Sequence, residues 1–398
     1  MGSMVSFGIE RMVLEWGKNH SFNDFSAIFQ PSDERDIPYY YAENTVETYP
    51  GMSRKLGSVA KRLNLLGFSE AELRAKFDKT VEAMPEITEG LDITFEQFSL
   101  ILRSIDLSKA FKEFGDGDFD LASYVNEFLL KDPEVAKSLP HGLAINKETG
   151  RFFENFEPFL LLRILAQNPA NTESLVQWRT EDIIAGGWVE RDDIIRPLPN
   201  ESKILIVTEG SSDSSIIKKA LNTLYPDIAD FFDFVDMEEN YPFTGTGSLF
   251  RFCQGLSRIR IQNQVLVIFD NDAAGLEKYQ EALNLTRPRS MHICRLPDHP
   301  DFLSVMTKGP NGEARANING AAVAIECFLD WNSVPELTPT VRWSSYSQSL
   351  DCYQGELERK EHYVRKFHKA NLTHGKYDTA KLRYLIEHLL NEWIRRPS

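Results

Sequence analysis

From Val5 to Glu10, and again from Met12 to Trp16, apolar residues alternate with polar ones, the period of a half-buried strand, and a short turn between the runs predicts an antiparallel pair. A loop carrying Pro31, Pro38 and Pro50 is expected next. The period then lengthens. Ser53 to Leu66 shows helical spacing, Ser69-x-x-Glu72 and Thr94-x-x-Gln97 are capping boxes that open two further helices, and apolar helices are expected over Phe152 to Ala166 and Thr172 to Ala185. Residues 1–190 therefore read as a mainly helical domain with a short β start, and the proline-bearing, charged residues 191–202 as a linker.

Beyond the linker the pattern changes again. Lys203-Ile204-Leu205-Ile206-Val207 is an apolar, β-branched run suited to a central parallel strand, and a helix from Ser212 to Leu224 follows. Strands at Phe232–Val235, Val265–Phe269 and Met291–Leu296 alternate with helices at Leu249–Ile259 and Leu276–Leu283. This predicts an α/β fold with a four-stranded parallel sheet flanked by helices over residues 203–335. Asn319-Gly320 is expected to lead into an apolar helix through Leu329. Residues 336–398 form a basic C-terminal segment with helices over Gly355–Ala370 and Asp378–Ile394.

Composition narrows the class. With 398 residues and 42% hydrophobic content the chain can bury a full core, and no apolar run reaches the ~18 residues of a membrane span. A cytoplasmic protein without membrane association is expected; Met1-Gly2-Ser3-Met4-Val5-Ser6 matches only the loose myristoylation pattern. Cys253, Cys294, Cys327 and Cys352 lack paired spacing, which argues against a zinc cage or disulfide framework. A net charge of −15 argues against a surface coated with phosphate-binding groups. From Arg342 to Ser398, however, eleven Lys and Arg face seven Asp and Glu, a local balance of +4, so the remainder carries −19.

In an open parallel sheet the carboxyl ends of the strands face the ligand crevice, and acids occupy two such ends here. Glu209 follows the first strand in Thr208-Glu209-Gly210-Ser211-Ser212-Asp213, and Asp270-Asn271-Asp272 follows the third. If those strands are neighbours, three carboxylates converge, which repulsion makes costly unless a cation or proton intervenes; hard oxygen ligands select magnesium or manganese. Residues i and i+2 of an extended segment share a face, so Asp270 and Asp272 reach one metal while Asn271 points elsewhere. Gly210 and Gly275 suit close turns, and Gly210, Asp213 and Gly275 are assigned to phosphate binding around the amino ends of the following helices. The plainer reading makes each acid a solvated turn residue.

Together, Ile204 to Asp213 and Val265 to Gly275 resemble the Toprim domain shared by topoisomerases, primases and several nucleases, over about a third of the chain. The resemblance implies that Glu209 is a metal ligand or general acid/base, that Asp270 and Asp272 are the metal-binding D-x-D pair, and that Thr244-Gly245-Thr246-Gly247 is the small-residue loop after the second strand. A second resemblance, carried by Met1-Gly2-Ser3, Glu15-Trp16-Gly17-Lys18-Asn19, Phe29-Gln30-Pro31-Ser32-Asp33, Pro38-Tyr39-Tyr40-Tyr41 and Ser53-Arg54-Lys55-Leu56, is to the amino-terminal module of bacterial proteins whose second half is a HEPN or Toprim domain. It implies links to phage defence and toxin-like nucleases, with residues 1–190 sensing or assembling rather than cutting.

Further candidates follow. Glu326, inside an apolar stretch, is placed like the acid that helps bind a second metal in the overcoming-lysogenization-defect nucleases, or else is a water-exposed helix-border acid. Asp298 and Asp301 follow the fourth strand and either line the crevice or belong to a proline turn. Arg359, Lys360, Arg365 and Lys366 form a candidate phosphate or nucleic-acid contact, with a solvated helix as the alternative. Arg383 and His388 have the R-x4-H spacing of HEPN ribonucleases, which an exposed helix face also matches.

The expected activity is Mg2+- or Mn2+-dependent hydrolysis of DNA or RNA phosphodiester bonds through Glu209, Asp270 and Asp272. No gate-sized insertion supports a topoisomerase, and the zinc-binding partner of a primase is missing. A non-catalytic module binding nucleic acid or nucleotide and acting through a protein partner is the alternative. Acidic net charge favours a triggered enzyme, and a homodimer is expected because one small basic patch grips a duplex poorly.

Overall fold

The computed structural model describes residues 3–41, 45–84, 93–114, 117–138, 148–235, 245–259, 261–310 and 312–396. The chain divides into two compact units, Met1–Leu198 and Pro199–Ser398.

The first unit is built on a six-stranded sheet. Its strands are β1 (Met4–Ile9), β2 (Met12–Lys18), β3 (Glu34–Tyr40), β4 (Val46–Lys55), β5 (Phe119–Asp120) and β6 (Leu175–Arg179), in the order β3-β4-β6-β1-β2-β5. The expected pair β1–β2 is present, closing with Ile9 opposite Met12 and Glu10 at φ 50°. The sheet is larger than the pattern suggested for two reasons. Pro38 lies in the edge strand β3, where a missing N–H breaks no ladder, and Pro50 pairs with Asp36 of β3 outside the part of β4 that pairs with β6. The expected helix over Thr172–Ala185 is instead β6 followed by a helix at Glu181–Ala185: the alternation Val176-Gln177-Trp178-Arg179 is only four residues long, and with sheet neighbours on both sides the strand buries its polar Gln177 and Arg179 as well.

Both capping boxes form. Ser69 opens Glu70–Ala83, and Thr94 opens Phe95–Ser104 with its hydroxyl accepting the Gln97 N–H at 3.3 Å while Gln97 Oε1 accepts the Thr94 N–H at 3.0 Å. The expected helix over Phe152–Ala166 is two, Glu148–Glu154 and Pro158–Leu165, the second opened by its proline. An aromatic core joins these helices, with Phe98 and Phe156 centroids at 4.5 Å and Phe77 stacked on Phe156 at 5.1 Å.

The second unit contains the expected parallel sheet. β7 (Ile204–Val207), β8 (Phe232–Phe234), β9 (Gln264–Phe269) and β11 (Met291–Arg295) are all parallel in the order β11-β9-β7-β8. Helices Ser211–Leu224, Thr246–Ile259 and Ala273–Leu283 connect them. β7 and β9 are direct neighbours, with Val207 opposite Val267, so the segments after their carboxyl ends lie side by side.

A second four-stranded sheet was not legible in the pattern: β12 (Val305–Gly309), β13 (Gly312–Ala316), β15 (Thr340–Ser347) and β16 (Cys352–Leu357), ordered β13-β12-β15-β16. The expected helix through residues 319–329 is corrected to a short strand β14 (Ala322–Val323), paired with β10 (Asn271–Asp272), and a 3-10 turn at Ile325–Phe328. From Ala321 to Leu329 every residue but the half-buried Ala324 is buried, and a run this buried has no clear periodicity to read. The helix expected from Gly355 starts only at Lys360, because Cys352–Leu357 is strand and Arg359 turns at φ 54°. Helix Ala380–Ile394 buries Leu382, Leu385, Ile386, Leu389 and Trp393 as expected. The basic segment thus packs in the same unit as the parallel sheet. Among the described residues no helix is long and apolar enough to cross a membrane, and all four cysteines are free.

Candidate carboxylate site

Thr208 ends the buried run of β7, and its hydroxyl, 2.8 Å from that of Ser214 and donating to the Gly210 carbonyl at 2.9 Å, holds the turn into helix Ser211–Leu224. Glu209 projects from this turn. Its Oε1 accepts the Asp270 N–H at 3.1 Å, and its Oε2 accepts the Thr246 hydroxyl at 2.8 Å. Three crossovers therefore meet at one carboxylate, and Thr246 belongs to the small-residue loop that the Toprim resemblance marks; Thr244 lies outside the described residues.

Asp213 turns back to its own helix start, with Oδ2 accepting the Gly210 N–H at 2.9 Å and Oδ1 the Ser212 hydroxyl at 3.2 Å. Burial pushes its carboxyl up to about 7, helped by Glu326 and Glu209. A carboxylate among carboxylates repels a phosphate unless a cation stands between them, so a phosphate would meet Asp213 only across a cation.

Asp270 is raised well above the carboxylate range by burial and by Asp213, Glu209, Asp272 and Glu326 around it. Burial also raises Glu209 and Asp272, against the hydrogen bonds each accepts. Asp272 is more committed than the D-x-D reading suggested. Its Oδ1 caps helix Ala273–Leu283 by accepting the Gly275 N–H at 2.7 Å, and its Oδ2 accepts Gln354 Nε2 at 2.5 Å. Gln354, which no motif marked, also accepts the Ala274 N–H at 2.9 Å through Oε1.

The two glycines differ. A Cβ on Gly275 would stand 2.3 Å from the Asp270 carbonyl oxygen, so only glycine lets the helix start this close to the acid; a Cβ on Gly210 would meet nothing nearer than Asp213 Oδ2 at 3.5 Å. Close approach is thus required at Gly275 and not at Gly210.

Glu326 is 4% exposed, which settles its placement against a water-exposed border position. It comes from the 3-10 turn after β14, and the β10–β14 pairing carries it towards Asp270 and Asp213. Lys360 supplies the opposing charge. Burial works to lower its pKa, but Glu326, Glu356 and Asp270 hold it above the ordinary lysine value, and its Nζ lies 2.8 Å from Glu356 Oε1. Lys360 is thus set against the acids.

The donor set, all carboxylate oxygen and partly or fully withdrawn from water, fits a hard divalent cation in its chemistry. Among the described residues no three His, Cys, Asp or Glu side chains stand placed to hold a metal ion together.

The remaining candidates lie elsewhere. Asn271 is buried and donates from Nδ2 to Asp298 Oδ1 at 2.7 Å, which also accepts from Arg295 at 3.1 Å; Asp298 therefore braces the strand ends. Asp301 is exposed, in the proline turn at Pro300–Leu303. Arg383 Nε donates to Thr379 Oγ1 at 3.3 Å, whereas the His388 ring lies half-buried, 3.3 Å from the Arg295 carbonyl, so the two do not converge on one point. Arg359 is exposed at the head of helix Lys360–Lys369, and Arg365 and Lys366 line a separate cavity.

No curated protein and no solved structure matches the chain. One family model does, HEPN/Toprim N-terminal domain 1, over residues 1–202 and so just over half of the sequence. The six-stranded sheet and its helices fall within that span, and the chain belongs to the HEPN/Toprim N-terminal domain 1 family.

Proposed function

We propose that this protein is a metal-dependent nuclease that hydrolyses phosphodiester bonds of DNA or RNA, in keeping with the nuclease-related function its family membership suggests. The observation that supports it best is the gathering of Glu209, Asp213, Asp270, Asp272 and Glu326 at the carboxyl edge of a parallel sheet, with Asp270 held far from its ordinary ionisation. Uncompensated like charges are costly to fold, and such clusters are found where function repays the cost.

Glu209, Asp270 and Asp272 would hold Mg2+ or Mn2+, with Glu326 and Asp213 beside them. The bound ion would supply charge neutralisation at phosphorus and an acidified water. The chain's own part is threefold. Thr246 and the Asp270 N–H orient Glu209, Gln354 and the Gly275 N–H orient Asp272, and Lys360 balances part of the negative charge. An acid held near neutrality, such as Asp213, can accept and return a proton at working pH. The amino-terminal module would sense or assemble, and the bacterial systems it resembles place such a nuclease in phage defence.

A second reading is favoured by one observation: Asp272 is already spent as a helix cap and Gln354 partner. In that reading the acids form a non-catalytic site acting through a protein partner. Cleavage of end-labelled DNA and total RNA by the purified chain, with magnesium, manganese or chelator, decides between them. Metal-dependent cutting lost in Glu209→Gln and Asp270→Asn supports the nuclease; no cutting under any condition, with both variants folded, supports the partner-dependent module.

A further inference from the structure

In a chain of net charge −15, many cations are paired: Arg54 lies 2.6 Å from Asp33, Arg179 2.7 Å from Asp118, and Lys55 2.6 Å from Glu173. A cluster in the second unit is not. A cavity of about 730 Å³ in the second unit is lined by Arg365, Lys366, Lys369 and Lys376, and among the described residues none of the four forms an ion pair or donates a side-chain hydrogen bond.

Three of these cations share one face of helix Lys360–Lys369 at spacings of three and four residues, where like charges repel. The helix dipole favours cations at its carboxyl end and accounts for part of the placement. It leaves two things over. The last carbonyls are already served by Lys219, whose Nζ donates to Phe367, His368 and Ala370 at 2.7, 2.8 and 3.0 Å, so Lys366 and Lys369 are not needed there. Lys376 comes from the segment after the helix and turns the same charge on the same cavity.

We infer that this cavity is a binding site for a phosphate-bearing small molecule of nucleotide size, separate from the carboxylate cluster. Four cations, set against Glu336 in the same wall and Glu361 one turn before Arg365, suit a ligand carrying two or more phosphate charges. The volume exceeds what inorganic phosphate fills and falls within the range of small-molecule sites. The rest of the wall is unlike a plain electrostatic track: Glu336 and Asn371 offer an acceptor and an amide to hydroxyls or amines, and Val334 and the Tyr377 ring offer apolar surface. A nucleoside di- or triphosphate presents both halves of that chemistry. The inference does not rest on the proposed cleavage reaction, and binding needs no metal.

The test uses the full chain with chelator at physiological ionic strength, so that neither metal nor turnover contributes. A fluorescent ATP analogue is titrated by anisotropy, with ATP and tripolyphosphate as competitors and a labelled single-stranded oligonucleotide in a parallel arm. Saturable binding displaced by ATP, and weakened about tenfold or more in Lys366→Glu with Lys369→Glu, supports the site. The melting temperature of that variant checks that it folds. Lys218→Glu with Lys308→Glu, which change the net charge equally outside the cavity, should leave binding unaltered. The inference is overturned if the wild-type chain does not bind the analogue, if the control pair weakens it as much, or if the oligonucleotide binds while ATP does not compete.

Discussion

The two units treat buried charge in opposite ways. In the first, each deeply placed cation has a partner: Arg54 meets Asp33 at 2.6 Å, Arg179 meets Asp118 at 2.7 Å, and Arg62, fully buried, donates to the carbonyls of Ala27 and Phe29 at 3.0 and 3.1 Å. In the second, five acids are drawn together, and among the described residues Lys360 is the lysine set against them. Pairing serves a scaffold, because breaking a buried pair strands a charge. Gathering like charges leaves a standing cost that only a ligand or a proton relieves. Removing one acid should therefore have opposite consequences in the two places.

The largest effect is expected at Asp270. Asp270→Asn should lower metal-dependent cleavage by roughly 10²–10⁴-fold, the scale of losing a group that works in the transition state. The same change should raise the melting temperature of the metal-free chain by about 2–4 °C, since a repelling charge is gone. Loss of activity together with loss of stability would make Asp270 an ordinary structural acid. Asp33→Ala should do the reverse, costing about 3 kcal/mol by taking the opposing charge from the Arg54 guanidinium, which keeps its bond to Gln30 Oε1 at 3.0 Å, and freeing the Gln30 N–H that Asp33 accepts at 2.7 Å. Differential scanning calorimetry would read a drop of roughly 10 °C, and Asp33→Leu with Arg54→Met should recover most of it. A neutral Asp33→Ala would break the comparison.

How much of this was legible depends on whether a signal is local. Glu209, Asp270 and Asp272 could be read because each directly follows a strand whose apolar run is unambiguous. Their convergence depended on β7 and β9 being neighbours, which spacing alone does not dictate. Glu326 was recognisable as an acid in apolar company, but its approach to Asp270 depends on β14 pairing with β10, a two-residue contact across about fifty residues of chain. Gln354 carried no signal, since a glutamine on a half-exposed strand looks the same whether or not it binds an aspartate. The strands β12, β13, β15 and β16 were missed for a related reason: β13 is mostly exposed and β15 only weakly buried, so neither shows a clear apolar period.

Gly275 gives a sharper and smaller test within the second unit. Gly275→Ala places a Cβ 2.3 Å from the Asp270 carbonyl, so the helix start or the acid must move, at a cost of about 1–3 kcal/mol. Isothermal titration with Mn2+ should show weakened binding in this variant, while Gly210→Ala, whose nearest contact is at 3.5 Å, should match the wild type. Equal behaviour of the two alanines would mean that the Asp270 position is not what the glycine protects.

The smallest effect probes whether pairing alone keeps an acid ionised. Burial pushes the Asp118 carboxyl up to about 6 even with Arg179 at 2.7 Å, from an ordinary value of 3.8. The folded chain thus keeps this proton to higher pH than the unfolded chain does. Stability from the group is fully present below about pH 3.8 and is lost as pH rises through about 6. Asp118→Asn cannot ionise and removes that slope, though it also weakens the hold on Arg179 at neutral pH. Across about pH 4 to pH 7 the melting temperature of the variant relative to wild type should therefore climb by about 2–4 °C, a modest figure because a quarter of the side chain remains in water. A flat difference would mean that Arg179 fully offsets the burial of its partner; a climb would show that even in the paired unit an acid can sit above its comfortable range, which narrows the contrast with the carboxylate cluster to one of number and sign rather than of burial.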